Sequence, residues 1–408
     1  MKRKQLFYTL MGVLLIAFAS CSDDNNDGPN KQGYVTQFTI SLPEALQQAK
    51  LIDAKLVALE LNTKRETEQE VEIDDKRQFT AYLKSGLYYL TFSAKAQLNG
   101  KERAIKGYLQ NEPINQEANL KIEAFNSTEQ EDFVIEEIFY TGVPFPETNK
   151  ANYIGDQYFR ITNNSDHLLY ADGLAIAETA FTASLQNDYT PNVMKEASAI
   201  HAIYQIKGEG KTYPVEPGAS LIICDKAIDH TEHNANSFDL SKADFEWYDE
   251  STVPGFQDSD NPDVPNLDKI YSYSRTVWII SKQANRSYLL IRMGEDKETF
   301  LAKYKYDYSY ETAAGKVIKK SDYKVPNSWI IDAVNLGVPD KHKWFVLDSS
   351  LDAGTTYCGE NSSDPNRLGK SVRRKVSHIN EKGRKVLLDT NNSTEDFERN
   401  ATPSVAKK

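Results

Sequence analysis

The sequence predicts an all-β protein made of two sandwiches in series, and three observations carry that expectation. Apolar residues return at every second position through many short runs, which is the period of a half-buried strand rather than a helix. Clusters of Asn, Asp, Gly and Pro separate the runs and supply turn chemistry. At 408 residues, 40% of them hydrophobic and with 23 Tyr and 17 Phe, the chain is too long for one ordinary core and aromatic enough to pack two.

Residues 1–20 read as an export signal. Lys2, Arg3 and Lys4 form a positive start, Leu6 to Phe18 an apolar run, and Ala19-Ser20-Cys21 a small-residue cleavage site ending on cysteine. The apolar run is too short for a membrane span. This start resembles a bacterial lipoprotein signal, which implies that Cys21 is acylated and that the chain is held at a membrane by its acyl chains, each worth about 0.8 kcal/mol per buried CH₂. Residues 21–32 contain no apolar run and are expected to be a disordered tether. The acidic stretch after Cys21 resembles the surface-export signals of Bacteroidota lipoproteins, although Ser22-Asp23-Asp24 stands where such signals often begin with Lys or Gln. The expected location is therefore the outer membrane, facing the cell surface. Removing the signal takes away three basic residues and moves the net charge from −11 to −14. Such an acidic chain is not suited to nucleic acid, whose phosphates reward positive charge.

Residues 33–126 form the first expected sandwich. Candidate strands are Tyr34 to Leu42, Lys55 to Leu61, Gln78 to Leu83, Leu87 to Lys95 and Leu120 to Phe125. Pro43 to Ala49 has the makings of one or two helical turns, with Pro allowed at the first position. Gly86 opens an aromatic strand that alternates Leu87, Tyr89, Thr91 and Ser93 against Tyr88, Leu90 and Phe92. The stretch Leu83 to Ala96 resembles a bacterial immunoglobulin-like pattern, which implies a spacer or docking module.

The polar run Asn126 to Asp132 marks a boundary, and the second domain is placed at 130–408. It opens with the strand Phe133 to Gly142. The stretch Tyr153 to Ile176 then reads as two strands around an Asn163-Asn164-Ser165-Asp166 turn, a nucleus for the sheet. Ile135-Glu136-Glu137-Ile138, Tyr158 to Asn163, Glu216-Pro217-Gly218, Ser371-Val372-Arg373-Arg374 and Thr402-Pro403, in that order, resemble the parts of the lamin-tail domain, an immunoglobulin-like sandwich of bacterial secreted proteins. Gly173-Leu174 stands where that family has Gly-Trp, and Arg160 where it often has Glu. Residues of about 225–359 have no counterpart and are expected to be a large insertion with short helices. One helix is expected to open at Ser241-Lys242-Ala243-Asp244, a capping-box pattern. The whole arrangement resembles a Bacteroidota lipoprotein family of unknown function that accompanies TonB-dependent transporters. That resemblance implies a non-enzymatic accessory binding component of nutrient uptake, with iron or a siderophore among the cargoes and an outer-membrane β-barrel transporter as partner. A surface adhesin or structural lipoprotein, and an accessory module of an extracellular hydrolase, are the alternatives.

The expected insertion carries the candidate sites. His230 and His233 are three apart, a spacing that suits zinc, with Asp225, Asp229 or Asp239 as a third ligand; a solvated loop has the same spacing. Asp258, Asp260 and Asp263 offer the hard oxygens that calcium prefers, without the glycine of an EF-hand loop. No other cofactor is implied. Tyr304, Tyr306, Tyr308 and Tyr310 recur at period two, so one strand would show all four rings on one face, as a platform for a sugar, siderophore or protein or as a face packed on the core. Lys370, Arg373, Arg374 and Lys375 form a basic cluster, with Arg373 and Lys375 expected on a solvated face beside Ser371. Cys224 and Cys358 remain after lipidation and either pair outside the cytoplasm or stand apart as buried thiols. No nucleophile elbow, P-loop, dinucleotide fingerprint or C-x-x-C is present, so no enzyme activity is expected.

Overall fold

The computed structural model describes residues 33–406 apart from 43–45, 61, 64, 99–100, 127–131 and 148–151. The export signal, Cys21, the tether and the start of the Pro43 to Ala49 turn therefore lie outside the described residues.

In the first sandwich a three-stranded sheet, Gln78–Lys84, Gly33–Ser41 and Ala118–Glu123, faces a five-stranded one, Glu66–Glu70, Lys50–Glu60, Gly86–Leu98, Lys101–Ile114 and Phe125–Asn126. Strict alternation makes this possible. Along Gly86–Leu98 the residues Tyr88, Leu90, Phe92, Ala94 and Ala96 are buried while their neighbours are not. Phe79 links the layers, stacking on Phe38 at 4.8 Å and on Phe92 at 5.8 Å. Gly107 is needed where strand backbones close in, because a Cβ there would fall 2.4 Å from the Ile122 side chain.

The second sandwich packs a six-stranded sheet against a seven-stranded one. The first of these runs Phe245–Glu246, Ser220–Cys224, Tyr158–Asn163, Phe133–Phe139, Ser371–Arg374, Phe397–Ala401. The other runs Lys305–Glu311, Val317–Pro326, Ala197–Gln205, Leu174–Thr179, Ser287–Arg292, Ile330–Asn335, and Asp268–Ser272 pairs with the far part of Ala197–Gln205. Between them lie Ile138, Phe159 and Ile161 from one sheet and Leu174, Ile176, Tyr204, Tyr288 and Leu290 from the other, with Trp247 and Trp278 wedged among them.

Both sheets are covered on their outer faces too. Ala175, Ala177, Leu289 and Ile291 point away from the central core and meet Phe300, Val325, Trp344 and Leu347. Phe139, Tyr158 and Cys224 likewise meet Phe238 and Leu240. This double cover explains why Leu174–Thr179 is buried at every position instead of at alternate ones.

Several expectations change. The turn after Tyr158–Asn163 does not join two neighbours in one sheet: its strands lie in opposite sheets, so it is an arch over the end of the core. Residues 225–359 are not an insertion into a finished sandwich. They supply Phe245–Glu246 to the first sheet and Asp268–Ser272, Ser287–Arg292, Lys305–Glu311, Val317–Pro326 and Ile330–Asn335 to the second, which cannot exist without them. Ser241 opens no helix; Asp239 Oδ1 accepts its N–H at 2.8 Å in a turn that delivers Phe245–Glu246 parallel to Ile223 and Cys224. The helix within residues 225–359 is instead Lys297–Lys303, capped by Asp296, whose Oδ1 accepts the Thr299 N–H at 2.8 Å. Cys224 and Cys358 are both free and buried. They cannot meet, because Cys224 sits on the outer face of the first sheet and Cys358 in the central core. Burial pushes both thiols up, Cys358 to about 11.

Candidate functional site: an aromatic cavity over the end of the second sheet

The strand Lys305–Glu311 ends the second sheet and pairs antiparallel with Val317–Pro326. Its alternation buries Tyr306 and Tyr308 and half-buries Tyr310, with Lys305 and Asp307 exposed opposite. The tyrosine face is roofed by residues 181–194, stitched down by Thr190 and Ser309, which exchange backbone hydrogen bonds of 2.8 and 2.9 Å. Tyr306 Oη donates to Pro191 O at 2.6 Å and Tyr308 Oη to Asp322 Oδ2 at 2.8 Å. Burial, with Asp322 adding to it, raises the Tyr306 hydroxyl to about 12 and that of Tyr308 higher still, so both stay protonated donors.

The roof contributes rings of its own. Phe181 and Tyr189 stack at 3.7 Å between centroids, Tyr308 meets them edge-on at 5.2 and 5.6 Å, and Tyr310 meets Tyr189 at 5.3 Å. Trp344 arrives from a distant loop, anchored by its indole N–H to Thr182 O at 2.9 Å and Leu185 O at 3.0 Å, with its ring 5.8 Å from Tyr189. Together they leave a cavity of about 220 Å³, bordered by Phe181, Tyr189, Tyr306 and Trp344 and, from the solvent-facing loop, by Gln186, Asn187, Asp188 and Asn192. Asn187 Nδ2 donates to Tyr189 Oη at 3.1 Å, which ties the loop to the ring beneath it. Asp188 is the one carboxylate among the residues lining the cavity. What the lining offers a ligand is ring surface, side-chain amides and this one carboxylate.

Of the four predicted tyrosines, three share this face. Tyr304 does not, because it is the C-cap of Lys297–Lys303 and packs on Phe300 at 5.4 Å and Trp329 at 4.9 Å, in the layer that covers the outer face of the sheet. Phe181, Tyr189 and Trp344 are not legible as site residues in sequence. The available signal is the stretch from Phe181 to Asn192, where aromatic residues stand in an otherwise polar loop that follows a buried strand.

The predicted metal ligands do not converge. His230 is buried with both ring nitrogens engaged: Nε2 donates to Lys226 O at 2.9 Å, which leaves Nδ1 to accept from Tyr153 Oη at 3.0 Å. Burial lowers its pKa to about 4. His233 is exposed and stacks on Tyr153 at 6.3 Å. Asp229 caps the short turn His230–Glu232, and Asp239 serves Ser241. Asp258 accepts the Asp249 N–H at 3.0 Å and approaches Lys226 Nζ at 3.3 Å, Asp260 accepts from Asn266 Nδ2 at 2.8 Å, and Asp263 is exposed. Among the described residues no group of three or more His, Cys, Asp or Glu is gathered to hold a metal ion.

The basic cluster also divides. Arg374 is buried, its Nη2 donating to both Asp332 oxygens at 2.8 and 2.7 Å and its Nη1 within 3.2 Å of Asp389 and 3.4 Å of Asp396, with Phe397 beneath it at 4.7 Å. Ser371 is buried as well, donating to Glu137 Oε1 at 2.6 Å. Arg373 stays partly exposed and Lys375 exposed, as expected of a solvated face, but Ser371 does not share it. The pairing with Phe397–Ala401 shifts register between Ser371 and Arg373, which sets a simple alternation off by one.

Fold and cavity together define a two-sandwich β protein with a small aromatic cavity at one sheet end. A family model described as "Protein of unknown function (DUF4876)" matches residues 216–404, a span that takes in the tyrosine strand and Trp344 but not Phe181 or Tyr189. Among solved structures, a DUF4876 family protein from Bacteroides thetaiotaomicron VPI-5482 is similar with a TM-score of 0.55 and 22% identity, over 92% of this chain and 98% of that one. That likeness supports the fold alone. A protein from Parabacteroides distasonis ATCC 8503, provisionally described as a cell adhesion protein, aligns over 73% of this chain and 85% of its own with a TM-score of 0.18 and 9% identity, too distant to carry an argument. No curated protein matches.

Proposed function

We propose that this chain, a relative of the DUF4876 proteins, is a lipid-anchored binding component of the outer-membrane surface that captures a small nutrient and presents it to a TonB-dependent transporter, without catalysing a reaction. The observation that carries the binding reading is the cavity of about 220 Å³ whose rings are held by hydrogen bonds and stacking before any ligand arrives. A site set in advance loses little ordering entropy on binding. The lipoprotein-like start with Cys21 supports the anchor, and the polar residues that follow it support reach. In this reading the first sandwich is an immunoglobulin-like spacer. The second is an enlarged lamin-tail-like sandwich that carries the cavity.

The test is a pull-down of the tagged full chain from native outer membranes in mild detergent, with mass spectrometry of both the partner and the modified N-terminus. A stoichiometric β-barrel transporter together with an acylated Cys21 is the expected result. Recovery of an acylated chain without a transporter contradicts the uptake role and favours a free-standing adhesin.

A further inference from the structure

The geometry points to a single pyranose ring of a neutral sugar as the occupant of the cavity bordered by Tyr189 and Trp344. This deepens the proposed reading of the cavity as a ligand site and rests on it. A pyranose carries an apolar C–H face and a rim of hydroxyls that both donate and accept. The cavity matches both parts. Phe181, Tyr189, Tyr306 and Trp344 supply ring surface for the C–H groups. Gln186, Asn187 and Asn192 supply amides, which like hydroxyls donate and accept at once, and Asp188 supplies a carboxylate suited to accept from two adjacent hydroxyls.

Other ligand classes fit less well. An anionic ligand, a ferric catecholate included, would meet Asp188 as the only charge among the lining residues, on a chain whose net charge is −11. Lys324 lies 5.9 Å from the Tyr306 centroid and is not part of the lining. A purely apolar ligand would displace water from the Asp188 carboxylate and the Gln186 amide without giving them partners, at a cost of roughly 1–3 kcal/mol for each group left unpaired. At about 220 Å³ the space is also smaller than the roughly 300–1,000 Å³ of pockets that enclose drug-sized molecules, which suits one ring and not a whole siderophore.

The experiment is a titration of the full chain, purified in mild detergent, with methyl pyranosides of the gluco, galacto, manno and N-acetylglucosamine series, read by saturation-transfer NMR. A ferric tris-catecholate is titrated in parallel. At least one pyranoside is expected to bind saturably, with transfer strongest on the C–H protons of one ring face. Tyr189→Ala and Asn187→Ala are each expected to weaken binding about tenfold, while Lys319→Ala on the exposed hairpin leaves it unchanged. Because Asn187 and Asp188 sit on the solvent-facing loop, Asn187→Ala and Asp188→Ala keep the test decisive if Tyr189→Ala fails to fold. Binding of no pyranoside, or binding that none of these variants alters, overturns the sugar assignment. Ferric catecholate binding that is lost in Asn187→Ala overturns it as well, but leaves the uptake component standing. Pyranoside binding without any co-purified transporter supports the sugar site while contradicting the uptake role.

Discussion

Arg374 shows most plainly how this fold depends on single polar side chains. One guanidinium serves three buried carboxylates, Asp332, Asp389 and Asp396, and also donates to Ile135 O at 3.0 Å and Leu388 O at 3.0 Å. Burial pushes Asp332 and Asp396 up even though Arg374 draws them down. Arg374→Met is expected to destabilise the second sandwich by roughly 3–5 kcal/mol in chemical denaturation, because it strands the carboxylates. Arg374→Lys should recover only part of this, since one ammonium cannot reach at once the partners that Nε, Nη1 and Nη2 serve separately. Asp156 gives a pH signature. It is buried, accepts from Ser237 Oγ at 2.6 Å, and its Oδ1 has no partner among the described residues, so burial raises its pKa from 3.8 to about 7. A carboxyl raised on folding contributes stability that is complete below about pH 4 and is lost as pH rises through about 7. Asp156→Asn mimics the protonated acid and should flatten that part of the profile, leaving the variant more stable than the parent by roughly 1–3 kcal/mol at about pH 8. Thermal melts across the range check the sign; a parent more stable than the variant above pH 7 contradicts it. The sequence marks Arg374 as one of a basic cluster but not as buried, and does not mark Asp156 at all, because a buried Arg or Asp is recognised by what surrounds it and not by its neighbours in the chain.

At the scale of elements, the arch from Tyr158–Asn163 to Leu174–Thr179 is the joint on which the two sheets turn. Asn163 holds it with every polar atom of its side chain: Nδ2 donates to His167 O at 2.9 Å and Val215 O at 2.8 Å, and Oδ1 accepts from Ser165 N at 2.9 Å and Ser165 Oγ at 2.7 Å. Asn163→Ala should therefore cost about 2–4 kcal/mol, several times a lone surface hydrogen bond; a loss under about 0.5 kcal/mol would place the joint elsewhere. The existence of these strands was legible from their runs of aromatic and β-branched residues. Their membership of opposite sheets was not, since a turn sequence reports a break in direction and not whether the chain returns beside itself or crosses a core. The same blindness made residues 225–359 look like an insertion: the run Tyr288-Leu289-Leu290-Ile291 is visibly apolar, but its pairing with Leu174–Thr179 is a long-range fact. The candidate site was half legible. Period-two tyrosines revealed one wall, while Trp344 and Tyr189 come from loops whose approach depends on the roof over Lys305–Glu311.

For the molecule as a whole, each sandwich has its own closed core and polar contacts join them. Tyr89 Oη donates to Ala353 O at 2.7 Å, Lys106 pairs with Glu395 at 2.9 Å, and Lys195 with Glu123 at 2.8 Å. The exposed Lys195–Glu123 pair is worth about 0–1 kcal/mol, and a few polar contacts of this kind are small beside two closed cores, so the two bodies should melt in separate calorimetric transitions. Loss of both cores in one transition at every pH would contradict this. The arrangement suits a tethered binder, in which the first sandwich sets distance and the second carries the cavity. The central claim, that this cavity is a built ligand site, is tested most directly by a crystal structure of the full chain grown with a saturating methyl pyranoside. The account predicts one sugar ring against Tyr189, within hydrogen-bond reach of Asn187 and Asp188. A cavity left empty while the sugar binds elsewhere, or a roof collapsed onto Tyr306, would contradict it.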